Sequence, residues 1–334
     1  MIVFVREMQT MKIKGDRYGK LVLVHSLAAV FLALTVLLAA PAKADERGGQ
    51  KSFLSPQEAA TALVAAVGAG DDADLLAVLG PDAEELISSG DSVADQRGRE
   101  RFLKAYAEKH QFEEQAGEEH AVLLIGSKDY PFPIPLVRRG GGWIFDTPAG
   151  KEEILNRRIG RNELRAIEVM QVYNDAQRDF SCSKRAGGAS EFAQKFVSSV
   201  GKKDGLYWPA EEGGPQSPLG PLLARAASEG YTNGLGEKSP EPYHGYFFKI
   251  LKSQGTHAVG GAFDYVVEGK MVLGFALVAY PARYGASGIM TFISNQEGVI
   301  YEKDLGEETA SLAAAMTSFD PDPSWHRYEE TDRK

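Results

Sequence analysis

One stretch near the middle of this 334-residue chain constrains everything around it: IGRNELRAIEVMQVYNDAQRDF, from Ile159 to Phe180. Leu164, Ile167, Met170, Tyr173 and Phe180 recur at steps of three or seven, with Ala176 between them. Arg161, Glu163, Arg165, Glu168, Asp175 and Arg178 fall mostly on the other side. The pattern predicts an amphipathic helix. No Gly or Pro interrupts it between Asn162 and Phe180. The sequence before it differs in kind from the sequence after it. The helix is therefore expected to close one domain, open a second, and lay Leu164, Ile167, Met170 and Tyr173 on a sheet that follows.

Before the helix, short helical segments give way to strands. Ser55-Pro56-Gln57-Glu58 has the form of a capping box, with Ser at N-cap, Pro at N1 and Glu at N3. The helix it opens carries Ala59, Ala62, Leu63, Ala66 and Val67 and is expected to stop at Gly68. Asp74 to Leu79, Ala83 to Ile87 and Val93 to His110 continue the helical pattern. Ala121 to Ile125 and Ile134 to Val137 read as strands, and Gly140-Gly141-Gly142 as a turn into a third strand at Trp143-Ile144-Phe145-Asp146. Helices followed by a small curled antiparallel sheet resemble the nuclear-transport-factor-2 or cystatin type by fold analogy, which carries no function.

After the helix, Ser181 to Gly188 reads as a loop, and Glu191 to Val200 and Pro221 to Glu229 as short helices. From Tyr243 the chain is strand-rich. Ala262 to Val267 is expected to pair with Met271 to Tyr280 across Glu268-Gly269-Lys270, and Gly288 to Ile293 with Val299 to Tyr301. The whole is α+β, with an antiparallel meander of about five strands after the helix. Length alone suggests about two domains. The boundaries expected are a signal peptide over 1–44, a linker over 45–52, an α+β domain over 53–158, helix plus sheet over 159–315, and an extended tail over 316–334.

The N-terminus reads as an export signal. Lys12, Lys14, Arg17 and Lys20 precede a nearly unbroken apolar run from Leu21 to Ala40, and Ala42-Lys43-Ala44 is an A-x-A site, so cleavage is expected after Ala44. An uncleaved anchor is the alternative, since about 20 apolar residues span a bilayer. Met11 is an alternative start to Met1. The net charge is −9, and the first 44 residues hold six basic and two acidic groups, so the remainder carries −13. An acidic body argues against nucleic acid and against docking on anionic lipid. Cys182 is the lone cysteine, so an internal disulfide is excluded and stability must come from core burial.

Two runs carry a resemblance across nearly the whole mature chain. The first is Tyr130-Pro131-Phe132-Pro133-Ile134-Pro135-Leu136-Val137, followed by Gly141-Gly142-Trp143-Ile144-Phe145-Asp146 and by Arg157-Arg158-Ile159-Gly160-Arg161-Asn162-Glu163-Leu164. The second is Tyr243-His244-Gly245-Tyr246-Phe247-Phe248-Lys249-Ile250-Leu251, followed by Gly274-Phe275-Ala276-Leu277 and Met290-Thr291-Phe292-Ile293. Together they resemble the bacterial exported family called domain of unknown function 2950. The resemblance implies an envelope protein and no particular activity. The latter half is also similar to type IV pilin and pseudopilin globular regions, where one helix lies against an antiparallel meander. It departs from them because about 110 residues separate the apolar N-terminal segment from this helix, so the similarity implies the packing and not filament assembly.

Candidate chemistry is sparse. His110, His120, His244, His257 and His326 form no H-x-x-x-H or H-E-x-x-H pattern. Glu113, Glu114, Glu118, Glu119 and His120 form an acidic cluster whose ordinary reading is a solvated face, since calcium sites need oxygens at tighter, Gly-turned spacing. No metal site and no cofactor is implied. His244, at the opening of a strand, is either a general base near pH 7 or a partner for a loop carbonyl. Tyr243, His244, Tyr246, Tyr280 and Tyr284 are candidate binding residues for a peptide or glycan groove, against the ordinary reading of aromatics as core. The reading that follows is a non-enzymatic binding or scaffolding module of the envelope, with an envelope protein, peptide or glycan as partner and no membrane insertion after cleavage. One alternative is a hydrolase or metal-dependent enzyme using His244 with Asp264, Asp304 or Glu302. Another is an accessory subunit of a secretion or pilus system.

Overall fold

In the computed structural model, Ser55 caps the first helix, α1 (Pro56–Ala69), by accepting from the Glu58 amide at 3.1 Å. The Glu58 carboxylate returns to the Leu54 amide at 2.9 Å. The helix runs past Gly68 and stops at Gly70, whose φ of +69° supplies the left-handed C-cap. The structure describes residues 49–114, 119–185, 190–210, 214–231 and 241–329. The export segment, its cleavage site, Glu118 and residues 232–240 lie outside them. The described residues belong to one compact unit.

Helices α2 (Asp72–Leu79), α3 (Glu84–Ile87) and α4 (Ser92–Glu108) follow α1. Strand β1 (His110–Glu114) pairs antiparallel with β2 (His120–Ile125), a pairing the single apolar residue Phe112 did not announce. β3 (Tyr130–Pro131), β4 (Leu136–Arg139) and β5 (Gly142–Phe145) complete this antiparallel sheet. Its core joins Leu63, Leu75, Val78, Ile134, Leu136 and Phe145.

Helix α5 runs from Thr147 to Arg185, 39 residues and about 58 Å at 1.5 Å per residue. It begins twelve residues earlier than the periodicity predicts. Gly150 lies in this added portion because the helix crosses the Pro133–Ile134 backbone there, where any Cβ would overlap the Pro133 carbonyl. Ile167, Met170, Tyr173, Ala176 and Phe180 are buried as expected, but Leu164 is 46% exposed. The buried face at that turn is held instead by Asn162, Ala166 and Ile167.

The second sheet has the order β6-β11-β12-β13-β15, antiparallel throughout: β6 (Tyr246–Leu251), β11 (Ala276–Pro281), β12 (Met290–Asn295), β13 (Ile300–Asp304) and β15 (His326–Arg327). Side chains alternate between its faces. One face meets α5, where Asn174 Nδ2 donates to Ser294 Oγ at 3.4 Å. The other meets α7 (Thr309–Ala315), whose terminal carbonyls Ala313 O and Ala314 O accept from Lys249 Nζ at 2.8 and 2.7 Å. β11 is therefore buried on both faces. The expected pairing of 262–267 with 271–280 is confined to β9 (Val266–Val267) and β10 (Lys270–Met271). After α7 the tail adds β14 (Ser318–Phe319), parallel to β7 (Ser253–Gln254), which also pairs with β8 (Phe263–Asp264).

The helix expected over 191–200 does not form. Gln177 on α5 takes both backbone groups of Ala193, accepting its N–H and donating to its C=O at 2.8 Å each, and Phe192 N donates to Met271 O. Backbone groups engaged across the fold cannot also close a helix. α6 (Gly220–Ser228) matches the expected Pro221–Glu229 helix to within a residue. Among the described residues, no helix is long and apolar enough to cross a membrane.

Candidate functional site

The chain reverses at Tyr243-His244-Gly245-Tyr246. Tyr243 and Tyr246 exchange backbone hydrogen bonds of 2.8 and 3.2 Å, with φ of +51° at His244 and +78° at Gly245. A two-residue turn with both central residues left-handed matches the twist of the strands it joins. Glycine is needed at 245 for a second reason: a Cβ there would lie 2.5 Å from the Asn162 amide nitrogen.

This turn docks against the first sheet's module through Asp91. Its Oδ1 accepts from Ala94 N at 2.9 Å, capping α4, while Oδ2 accepts from Gly245 N at 2.8 Å and Tyr231 Oη at 2.9 Å. Burial pushes the Asp91 carboxyl above its usual value, against the downward pull of those three bonds. Tyr231 Oη also accepts from His244 N at 3.2 Å. Beside it, Asn162 Nδ2 donates to Ser287 O at 2.9 Å, and Arg283 Nη1 to Ser88 O at 3.0 Å. The seam is thus stitched by polar groups drawn from both halves of the chain.

His244 Nε2 lies 3.0 Å from Glu229 Oε2. Burial first, then the guanidiniums of Arg165, Arg225 and Arg97, push the imidazole down to about 4, while Glu229 pulls the other way. The ring is neutral at pH 7 and donates its Nε2–H to Glu229. Glu229 also receives the Tyr243 hydroxyl at 3.4 Å and has Arg97 Nη1 at 4.0 Å. Tyr243 in turn accepts from Arg225 Nε at 3.4 Å. Glu168 receives Arg225 and Arg165, one on each oxygen, both at 2.7 Å. Burial opposes ionisation of Glu168, but these two arginines hold it below the usual carboxylate value.

On another flank of the seam lies a cleft of about 370 Å³, lined by Asp82, Lys151, Leu155, Asn156, Ile159 and Ile289. Clefts of this size hold small ligands.

The candidate residues named from sequence scatter over this geometry. Tyr243 and His244 lie together in the cluster. Tyr246 follows them but is fully buried, donating to Met290 O at 2.9 Å. Tyr280 pairs with Phe247 on the sheet face opposite Tyr246. Tyr284 donates to Asp304 Oδ2 at 3.2 Å. Asp304 ends β13 at the same end of the sheet as Tyr246 but three strands across, roughly 14 Å at the usual spacing. Asp264 pairs with Ser253, beyond the far end of β6, roughly 20 Å along the strand direction. Glu302 faces Glu163, and burial followed by that neighbour pushes its carboxyl up. The acid beside His244 is therefore Glu229, and Asp264, Asp304 and Glu302 lie elsewhere. Cys182 is an exposed free thiol. Among the described residues, no group of three or more His, Cys, Asp or Glu is placed to hold a metal ion.

Sequence reasoning missed Asp91, Glu229, Tyr231 and the arginines. Asp91 carried a usable signal, an N-cap aspartate directly before a helix. The arginines carried another, repeating at steps of four on α4 and α5. Nothing local tied Glu229 to His244.

A family model described as "Protein of unknown function (DUF2950)" matches residues 50–328. No curated protein and no solved structure matches the chain. The matched span takes in both sheets, α5 and every residue of the seam, and the chain belongs to the DUF2950 family of proteins of unknown function.

Proposed function

We propose that this chain is an exported, non-enzymatic binding module of the cell envelope, with its ligand held at the seam between the two sheets. The observation that carries the reading is the assembly around His244. Arg97 from α4, Arg165 and Glu168 from α5, Arg225 from α6 with Glu229 at its C-cap, and Tyr243 converge from four separate segments. Half-exposed guanidiniums are groups that recognise anions. The cleft beside Ile159 and Ile289 borders the same seam and offers ligand-sized space.

The test uses the chain beginning at Asp45 as bait in envelope extract, beside a Tyr243→Ala/Arg165→Ala variant whose folding is checked by circular dichroism. A partner retained by the wild type and lost by the folded variant supports the reading. Turnover of an envelope substrate that disappears with His244→Asn would replace it with the hydrolase reading. That second reading has its own support, the neutral His244 imidazole 3.0 Å from a carboxylate.

The long helix laid across an antiparallel sheet supports the likeness to pilin globular regions, and the small first sheet with its helices supports the nuclear-transport-factor-2 likeness. Crosslinked co-purification with a secretion or pilus complex would turn the first likeness into a role as accessory subunit. Export rests on the N-terminal sequence. Chain recovered from the periplasm or medium should begin Asp-Glu-Arg-Gly at Asp45, and a mature N-terminus upstream of Leu21 would mean that the segment is retained.

A further inference from the structure

Arginine repeats at steps of four on two helices: Arg97 and Arg101 on α4, and Arg157, Arg161 and Arg165 on α5. Like charges four apart weaken a helix, and they are unexpected in a chain of net charge −9. The fold then adds Arg225 from α6, which shares Glu168 with Arg165. Burial, followed by Arg161 and Arg97, holds the Arg101 guanidinium below its ordinary value, so the array crowds its own charge.

The nearby acids are already engaged. Glu168 has one arginine on each oxygen. Glu229 faces His244, Tyr243 and Arg97. Glu100 accepts from Gln96 at 3.1 Å, and Asp91 is spent on the seam. Arg225 Nη2 is buried and has no hydrogen-bond partner among the described residues.

We propose that Arg97, Arg165 and Arg225 form a binding site for the dianionic phosphate group of a phosphomonoester, at the seam cluster described above. The proposal rests on the binding-module reading and names its ligand class. Phosphate fits better than a carboxylate for a reason of count and shape. The carboxylate-type contacts of Arg165 and Arg225 are taken by Glu168 within the chain. The donors that remain come from three helices, and they suit a tetrahedral group with three acceptor oxygens and nearly two charges.

The test titrates inorganic phosphate and glycerol phosphate into the chain beginning at Asp45, by calorimetry at fixed ionic strength, with acetate as the carboxylate control. Arg97→Gln and Arg165→Gln are the variants, and Arg178→Gln, further along α5, is the control. Saturable phosphate binding that weakens at least about tenfold in each variant, the size of one charge-assisted hydrogen bond, and is unchanged in the control supports the site. Equal phosphate binding in wild type and both variants overturns it, as does acetate binding as tightly as phosphate. The Arg97 side chain is 43% exposed, so its variant keeps the result readable if Arg165→Gln fails to fold. Phosphate failing while seam-dependent capture from envelope extract persists sinks the phosphate assignment and leaves the binding-module reading standing. Phosphate binding without any capture supports the site and sinks the wider reading.

Discussion

Asp91→Ala is the substitution most damaging to the seam, because one side chain there does three jobs. It caps α4 through Ala94 N, and it is the acceptor for Gly245 N and for the Tyr231 hydroxyl. Losing an N-cap costs about 1 kcal/mol. Each buried donor left without a partner costs about 1–3 kcal/mol. The sum runs to about 3–7 kcal/mol, less the desolvation that the buried carboxylate no longer suffers, so about 3–5 kcal/mol is the working figure. At about 2–3 °C per kcal/mol for a chain this size, Tm should fall by about 6–15 °C. Asp91→Asn keeps the cap oxygen but turns an NH₂ toward two donors, and should cost about 2–4 kcal/mol despite near-identical volume. Tyr231→Phe removes one of the stranded donors, so the double variant Asp91→Ala/Tyr231→Phe should be less damaged than the two single losses added together. The assay is urea and thermal unfolding of the chain beginning at Asp45, followed by circular dichroism. A loss below about 1 kcal/mol for Asp91→Ala, or strict additivity in the cycle, would refute the argument that Asp91 joins the halves.

Three further predictions address other parts of the fold. His244 has a folded-state value near 4 against 6.5 for the free side chain, so between those pH values the unfolded chain binds the extra proton and stability rises with pH. Relative to His244→Asn, which tolerates the positive φ of the turn, wild type should therefore gain on the order of 2 kcal/mol between pH 4.5 and 7, and parallel pH profiles would disprove it. Gly150→Ala should destabilise by about 1–3 kcal/mol through overlap with the Pro133 carbonyl, although alanine is the better helix former; a stabilised variant in denaturant melts would mean that this crossing is looser than described. On α5, Met170→Ala should cost about 2–5 kcal/mol and Leu164→Ala no more than about 0.5 kcal/mol, an order that reverses if Leu164 rather than Asn162 faces the sheet.

Burial carries the contrast between Met170 and Leu164, and it also marks how far the sequence could be read. Periodicity found the central helix because Ile167, Met170, Tyr173 and Phe180 repeat at the helical period. It placed Leu164 wrongly because an apolar residue near the stripe edge is inward or outward by a few tens of degrees of rotation, and the packing of Asn162 against the Gly245 turn sets that rotation. The first dozen residues of α5 were hidden by Pro148 and Gly150, and the cost of Gly150 in an isolated helix is offset by its close approach to the Pro133–Ile134 segment between β3 and β4. The helix expected over 191–200 failed for the opposite reason, since Gln177, sixteen residues away, claims the Ala193 backbone. Within the candidate site, Tyr243 and His244 were legible as an aromatic-histidine pair before a glycine. Glu229 was not, because its partnership with His244 depends on where α6 ends relative to the turn.

By itself the sequence determined the local chemistry. It supplied the capping signal at Ser55, the apolar stripe of the spine, the Gly140–Gly142 turn, and an acidic body with arginines repeating at helical steps. Each of these depends on interactions within a few residues, which a linear pattern records. Only the tertiary structure decided which of those arginines share a carboxylate, that His244 stands beside Glu229 and away from Asp264 and Asp304, and that Asp91 reaches across 154 residues to the Gly245 amide. These pairings join segments far apart in the chain, and packing alone selects among the many carboxylates and guanidiniums that could have met. The same limit applies to the second sheet, where four strands were legible in the sequence while β15, in the expected tail, and the strand order emerged only in the fold.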